Sequence, residues 1–159
     1  MEKFDEPQAL TDVAEFHNTF SLPVLSAPTI PDKRRCELRI NLLKEELAEL
    51  KEAIEDNNLV EIADALADLQ YVLSGAVLEF GLGRKFKEIF NEVHGSNMSK
   101  TCKSKEEALA TQRYYKESKE TDSEIVEKDG VYLVYRSYDK KVLKSINYHP
   151  ADIESILNS

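Results

Sequence analysis

The fold is decided by one continuous stretch, RINLLKEELAELKEAIEDNNLVEIADALADLQYVL, residues 39–73. Apolar residues recur at helical spacing on both sides of its Asn-Asn pair, which predicts two helices joined by a tight turn. The first helix is predicted to follow the N-cap Asp32 and to end near Asp56, and the second to run from Leu59 to about Phe80. Because the connection is so short, the two helices should be antiparallel neighbours.

Acidic residues recur among the apolar positions of both predicted helices. At about 100° per residue, three carboxylates of the first helix border its apolar arc: Glu45, Glu46 and Glu49. Three carboxylates of the second helix fall within about 60° of one another: Glu61, Asp64 and Asp68. No Lys or Arg occurs between Leu59 and Gly83 to neutralise them.

Antiparallel packing would place the two acidic stripes face to face. Several carboxylates in a partly desolvated pocket repel one another and require cations. Oxygen ligands of this kind favour Mg²⁺ or Mn²⁺ over zinc. For either helix alone, a solvated acidic face paired with Arg34, Arg35 or Arg39 is the simpler interpretation, but the two stripes together favour a metal site.

The rest of the chain is predicted to add helices and one hairpin. A short helix is expected at residues 9–20, a helix ending near Gly95, a peripheral or subunit-exchanged charged segment at 103–124, a β-hairpin at about 130–148 and a closing helix at 150–157. The expected fold class is therefore all-α, a helical bundle with a small C-terminal β-hairpin. We expect a single domain over residues 1–159, with its helical core at about 33–101.

Composition excludes several classes of function. The 159-residue chain has a net charge of −9 and lacks a long apolar run, so neither a nucleic acid nor a membrane is the expected partner, and a cytoplasmic location is expected. Cys36 and Cys102 stand far apart without metal-ligand spacing. A P-loop, the Glu-x-x-His motif of di-iron bundles and a His-Asp pair are all missing from the sequence.

Five ordered segments resemble one known family. They are EFH (Glu15–His17), RINLLKEELAE with Arg39 ahead of the acidic pair, EIADALADLQYVL, FNEVHGSNMSK and the tail KKVLKSINYHPAD (Lys140–Asp152). Together they resemble the MazG-like all-α nucleoside triphosphate pyrophosphohydrolases, and in particular the phosphoribosyl-ATP pyrophosphohydrolase-like branch. The resemblance extends over residues 12–157.

The resemblance implies a Mg²⁺-dependent hydrolase that converts a nucleoside triphosphate to monophosphate and pyrophosphate. The expected substrate is a deoxynucleotide such as dUTP or a noncanonical one, and the expected role is nucleotide-pool house-cleaning. It implies these metal ligands: Glu46, Glu49, Asp64 and Asp68, with Glu61 as an alternate. It implies Glu45 as the catalytic base and these substrate-binding residues: Arg39, His94, Asn97, Lys100 and Lys144. A homodimer or higher homo-oligomer is also expected.

A second hypothesis from another class is a non-enzymatic helical protein-interaction module. Its acidic stripe would contact a basic partner, and its C-terminal hairpin would serve as a docking edge. An enzyme and a module differ in one property that is simple to measure, because only the enzyme gains stability and turnover from Mg²⁺ and a nucleotide.

Overall fold

The computed structural model describes residues 2–159, and over these residues it confirms a mostly helical fold with six helices, 56% helical content and one C-terminal hairpin. The chain forms two compact units, of which the first ends at Lys87 and the second begins at Glu88. The helices of the first unit are α1 (Ala9–Thr19), α2 (Lys33–Glu55) and α3 (Leu59–Glu79). The later elements are α4 (Phe86–Met98), α5 (Lys105–Lys119), β1 (Ser123–Lys128), β2 (Val131–Arg136) and α6 (Ile153–Asn158). No helix in the described part of the chain is long and apolar enough to cross a bilayer.

Side-chain caps define the turn between α2 and α3. The Asp32 carboxylate accepts a hydrogen bond from the Arg35 amide at 3.1 Å and starts α2 as predicted. Asn57 takes a positive φ of 52°, and the side chain of Asn58 accepts from the first amides of α3. The tight turn leaves α2 and α3 packed against each other, and α1 packs on α3 as the third helix of this unit.

The segment between α1 and α2 is fixed to the C-terminal end of α3. The Leu25 amide donates to the Leu78 carbonyl at 3.0 Å. Gly81 has a φ of 67°, and a Cβ atom at this position would stand 1.8 Å from the carbonyl oxygen of Ala27. The close approach of two backbones therefore requires glycine here, where the sequence predicted only the end of a helix.

The second unit has its own small core. Four buried residues form it: Cys102, Ala108, Val134 and Leu143. Helix α5 packs on both strands, and its Ala108 and Thr111 are fully buried. The prediction that the charged segment around α5 is peripheral is therefore wrong within this unit, because two small residues on one face allow close packing on the hairpin.

Two predicted boundaries are also wrong. The hairpin joins β1 to β2 through Asp129 and Gly130, both at positive φ, instead of lying at 130–148. An Asp-Gly pair is the preferred two-residue hairpin turn, which explains the shift. In the later part of the predicted hairpin, Val142 forms one isolated bridge with Tyr135. Helix α4 continues through Gly95 to Met98, because a glycine that needs no positive φ does not end a helix.

Candidate active site

Carboxylates from α2 and α3 act on one another at Glu46. This side chain is on α2 and is half-buried. The pKa of its carboxyl is raised above the ordinary value, first by burial and then by the negative charges of Glu49, Asp68, Glu45 and Asp64. The structure therefore brings five of the six predicted acidic residues into electrostatic contact, three from α2 and two from α3.

The four other members of this acidic cluster, Glu45, Glu49, Asp64 and Asp68, have exposed side chains. Glu61, the sixth predicted residue, is also exposed and is not among the groups that raise the pKa of Glu46. It stands in the first turn of α3, where its amide donates to the capping side chain of Asn58. The cluster is thus an open acidic surface around one half-buried carboxyl.

The donor set of the acidic cluster fits a hard divalent cation. All five groups are carboxylates, the ligand type that Mg²⁺ and Mn²⁺ prefer. Within residues 2–159, no group of three or more His, Cys, Asp or Glu side chains is placed to hold a metal ion. Mg²⁺ commonly binds one or two carboxylates, and water and substrate phosphates complete its coordination sphere. An open cluster of carboxylates is therefore compatible with Mg²⁺.

Arg39, a predicted substrate-binding residue, is buried in an ionic network beside the cluster. Its Nη2 donates to the carboxylate of Glu79, which also accepts from Arg35. The same Nη2 lies 3.3 Å from Nε2 of His17, whose Nδ1 is 2.8 Å from the Pro23 carbonyl. Because a carbonyl only accepts, the His17 proton belongs on Nδ1, which leaves Nε2 free to accept from Arg39.

Glu79 is the residue in this network that the sequence reasoning missed. Its side chain is 1% exposed. Burial raises the pKa of its carboxyl, but the hydrogen bonds and charges of Arg39 and Arg35 outweigh burial and lower that pKa overall. Two features of the sequence could have indicated it: an acid at the end of an apolar helix, and arginines four residues apart on the helix beside it.

A cavity of about 260 Å³ lies in the first unit next to the arginines of this network. Its lining is largely apolar and aromatic: Val13, Phe16, His17, Leu22, Arg35, Leu38, Arg39, Leu42, Tyr71 and Val72. The rings of Phe16 and Tyr71 meet edge to face, with centroids 5.7 Å apart. Leu42 stands one helical turn before Glu46, and Val72 one turn after Asp68, so the cavity adjoins the acidic cluster.

Two of the predicted substrate-binding residues, Lys100 and Lys144, act on Tyr148 in the second unit. Lys100 Nζ donates to Oδ1 of Asn97 at 2.6 Å, while Lys144 Nζ lies 4.2 Å from the centre of the Tyr148 ring. The positive charges of both lysines act on the Tyr148 hydroxyl. His94 is exposed on α4.

Comparison with known proteins assigns the chain to a family. Residues 13–97 match the phosphoribosyl-ATP pyrophosphohydrolase family, and this match spans more than half of the chain, including the whole acidic cluster. The chain is also similar to an uncharacterised protein, L479, of Acanthamoeba polyphaga mimivirus, with 24% identity over 84% of this chain and 89% of the relative. The chain belongs to the phosphoribosyl-ATP pyrophosphohydrolase family, within the MazG-like nucleoside triphosphate pyrophosphohydrolases.

Proposed function

We propose that this protein is a Mg²⁺-dependent pyrophosphohydrolase that cleaves the α–β bond of a nucleoside triphosphate, giving a monophosphate and pyrophosphate. The observation that carries the proposal is the convergence of carboxylates from α2 and α3 on Glu46. Family membership supports the same class of reaction. An acidic protein with this cluster needs a cation to accept a triphosphate, since both carry negative charge.

The candidate metal ligands in this proposal are Glu46, Glu49, Asp64 and Asp68, with Glu61 as an alternate. One or two of these carboxylates would hold the ion, and substrate phosphates and water would complete its coordination. When bound there, Mg²⁺ or Mn²⁺ supplies positive charge between these carboxylates and the phosphates of the substrate. Glu45 is exposed on the same side of α2 and acts as the base that accepts a proton from the attacking water. The half-buried position of Glu46 restricts water around that carboxylate and strengthens its electrostatic interactions.

The cavity beside the cluster is suited to the nucleobase. An aromatic base would lie against the apolar and aromatic walls formed by residues such as Phe16 and Tyr71. Arg39 Nε is buried without a hydrogen-bond acceptor among residues 2–159, so it is a donor available to a base carbonyl. In this proposal Arg39 binds the substrate and also keeps its structural ion pair with Glu79. The proposed physiological role is house-cleaning of dUTP-like or noncanonical nucleotides.

The second unit contains the other residues that the resemblance assigns to substrate binding: His94, Asn97, Lys100 and Lys144. Lys100 and Lys144 supply point charges, and Asn97 and His94 supply hydrogen-bonding groups. The Asn97 amide already fixes the Lys100 side chain through its Oδ1 atom. A fixed ammonium loses less side-chain entropy on binding a phosphate than a freely rotating one.

We further propose that two or more copies of the chain assemble. Large apolar side chains recur every seven residues on both long helices and are exposed: Ile40, Leu47 and Ile54 on α2, and Leu59, Leu66 and Leu73 on α3. In an antiparallel pair these residues lie at matching levels along the two helices. Such a paired apolar stripe is the surface that a second copy would bury.

The test compares nucleotide hydrolysis by the wild-type chain with that of Glu49→Gln and Asp68→Asn, using Glu52→Gln on the exposed side of α2 as the matched control. Both cluster variants should lose at least about 100-fold in turnover while keeping the wild-type circular dichroism spectrum, a loss typical of removing one main catalytic contribution. The control should stay within about two-fold of wild type. Unchanged turnover in both cluster variants would reject the active site, and absence of any Mg²⁺-dependent activity or stabilisation would favour the interaction module.

A further inference from the structure

The hairpin has one covered edge and one open edge. Tyr132 of β2 exchanges two backbone hydrogen bonds with Cys102, at 2.8 and 2.9 Å, and the Val134 carbonyl accepts from the Leu143 amide at 2.8 Å. The segments before and after the hairpin therefore cover the edge of β2 that faces away from β1. The open edge of the pair is the outer edge of β1.

The register shows which groups of β1 form this open edge. Successive residues of a strand direct their backbone N–H and C=O groups to opposite sides. Tyr132 and Val134 turn away from β1, so their register partners Glu127 and Ile125 turn away from β2. The backbone groups of Ile125 and Glu127 form no hydrogen bond within residues 2–159. An edge strand of this kind is a template on which another strand can pair.

The solvent face of β1 carries an acidic, an apolar and a basic side chain at alternate positions: Glu124, Val126 and Lys128. Ile125 points to the opposite face and packs against the small core of this unit. Val126 is 42% exposed, so its own chain covers it only in part. Lys128 is exposed, and Glu124 binds Lys140 at 2.8 Å. Because the acid and the base stand equally far from Val126 on its two sides, the strand is complementary in charge to a reversed copy of itself.

We propose that the β1 strands of two copies of this chain pair edge to edge in antiparallel orientation, with the two Val126 side chains on the two-fold axis, and form one four-stranded sheet. Ile125 of each chain then exchanges two hydrogen bonds with Glu127 of the partner subunit, so about four new hydrogen bonds form. Glu124 of each chain lies opposite Lys128 of the partner subunit. The contact is isologous, because each copy contributes the same surface.

Neighbouring registers are less favourable than this one. A shift of the second strand in one direction places Glu127 opposite Glu127 of the partner subunit, and like charges directly opposite each other repel. A shift in the other direction requires the Ser123 carbonyl, which already accepts from the Gln112 side chain at 2.6 Å. The contact is separate from the apolar face of α2 and α3, and because it is small it should join two chains by itself only at high micromolar concentration.

The test is disulfide cross-linking of the whole chain at high micromolar concentration, read on a non-reducing gel. In a non-hydrogen-bonded antiparallel pair the two Cα atoms stand about 4.5 Å apart, a separation that a disulfide spans. Val126→Cys should therefore form a covalent dimer with the mild oxidant diamide. Lys128→Cys is the matched control on the same face, because in this register its two copies stand roughly 14 Å apart and should not cross-link. The wild-type chain, with Cys36 and Cys102, gives the background.

Two further measurements test the register and the charges. A mixture of Glu124→Cys and Lys128→Cys chains should form a covalent dimer, because the register places these positions opposite each other. In the Val126→Cys chain, adding Lys128→Glu should lower the dimer yield about five-fold, since two attractive pairs become repulsive. Adding Glu124→Lys as well should restore most of the yield, because the opposite charges are then only exchanged. Circular dichroism verifies that each variant keeps its fold.

A Val126→Cys dimer no more abundant than that of Lys128→Cys would overturn the inference and leave the edge to a partner other than this chain. A dimer yield that charge reversal does not change would overturn it too. Nucleotide hydrolysis does not enter these measurements, so either result leaves the proposed function as it stands.

Discussion

Removal of the Glu79 carboxylate should be among the most damaging single changes in the first unit. In the change Glu79→Ala, Arg39 loses the partner for its buried guanidinium, while Arg35, with about a quarter of its side chain exposed, can turn toward water. Breaking a buried ion pair from one side costs about 3–5 kcal/mol, because a charge is left uncompensated. For a chain of this length each kcal/mol shifts Tm by about 2–4 °C, so Tm should fall by about 6–20 °C.

The assay is urea and thermal denaturation followed by circular dichroism at 222 nm. Glu37→Ala is the matched control, since Glu37 forms an exposed pair with Lys33 on the same stretch of α2 and should change stability by less than about 1 kcal/mol. A second comparison combines Glu79→Leu with Arg39→Met, which removes both buried charges and should recover much of the loss. A loss below about 1 kcal/mol in Glu79→Ala would refute the view that this network stabilises the unit.

Three further outcomes follow from the structure. Because folding lowers the pKa of Glu79, its stabilising effect is present above the unfolded pKa of about 4.3 and disappears as pH falls through the folded value. The urea midpoints of wild type and Glu79→Ala should therefore converge in acid. A difference between the two midpoints that stays constant down to pH 2 would contradict this. Gly81→Ala should lower the free energy of unfolding by about 2–5 kcal/mol, because its Cβ would collide with the Ala27 carbonyl at a positive φ. The control Gly95→Ala, whose Cβ meets no atom, should leave stability unchanged or raise it by up to about 1 kcal/mol. Equal effects of the two substitutions would contradict this geometry. Leu66→Glu should shift the protein to a monomer in sedimentation velocity, and an unchanged sedimentation coefficient would reject this face as the interface.

Local rules predicted the helical part of the fold well. The Asp32 cap, the Asn57–Asn58 turn and the apolar spacing of α2 and α3 act within a few residues of one another, so the sequence carries their signal directly. The predicted hairpin lies too late in the sequence because the β-rich stretch after Gly130 has the stronger pattern, whereas the Asp129–Gly130 pair determines the turn.

The candidate site was predictable only in part. The 100° rotation per residue placed the acids of each helix on one side, and the short turn placed the helices side by side, which together anticipate the negative charges around Glu46. The network of Glu79 with Arg39 depends on the packing of three helices and on the absence of a side chain at Gly75, where a Cβ would stand 2.6 Å from Arg39 Nη1. Contacts between residues so far apart in sequence leave no periodic signal.

The central claim, cleavage of a nucleoside triphosphate at the α–β bond, is tested most directly by ³¹P NMR of the products. A panel of deoxynucleoside, ribonucleoside and noncanonical triphosphates is incubated with the full chain and Mg²⁺, with Asp68→Asn as the inactive reference. The account predicts the resonances of a nucleoside monophosphate and pyrophosphate in equal amounts, from the wild-type chain alone. Release of orthophosphate with a nucleoside diphosphate, or no turnover of any triphosphate in the panel, would contradict it.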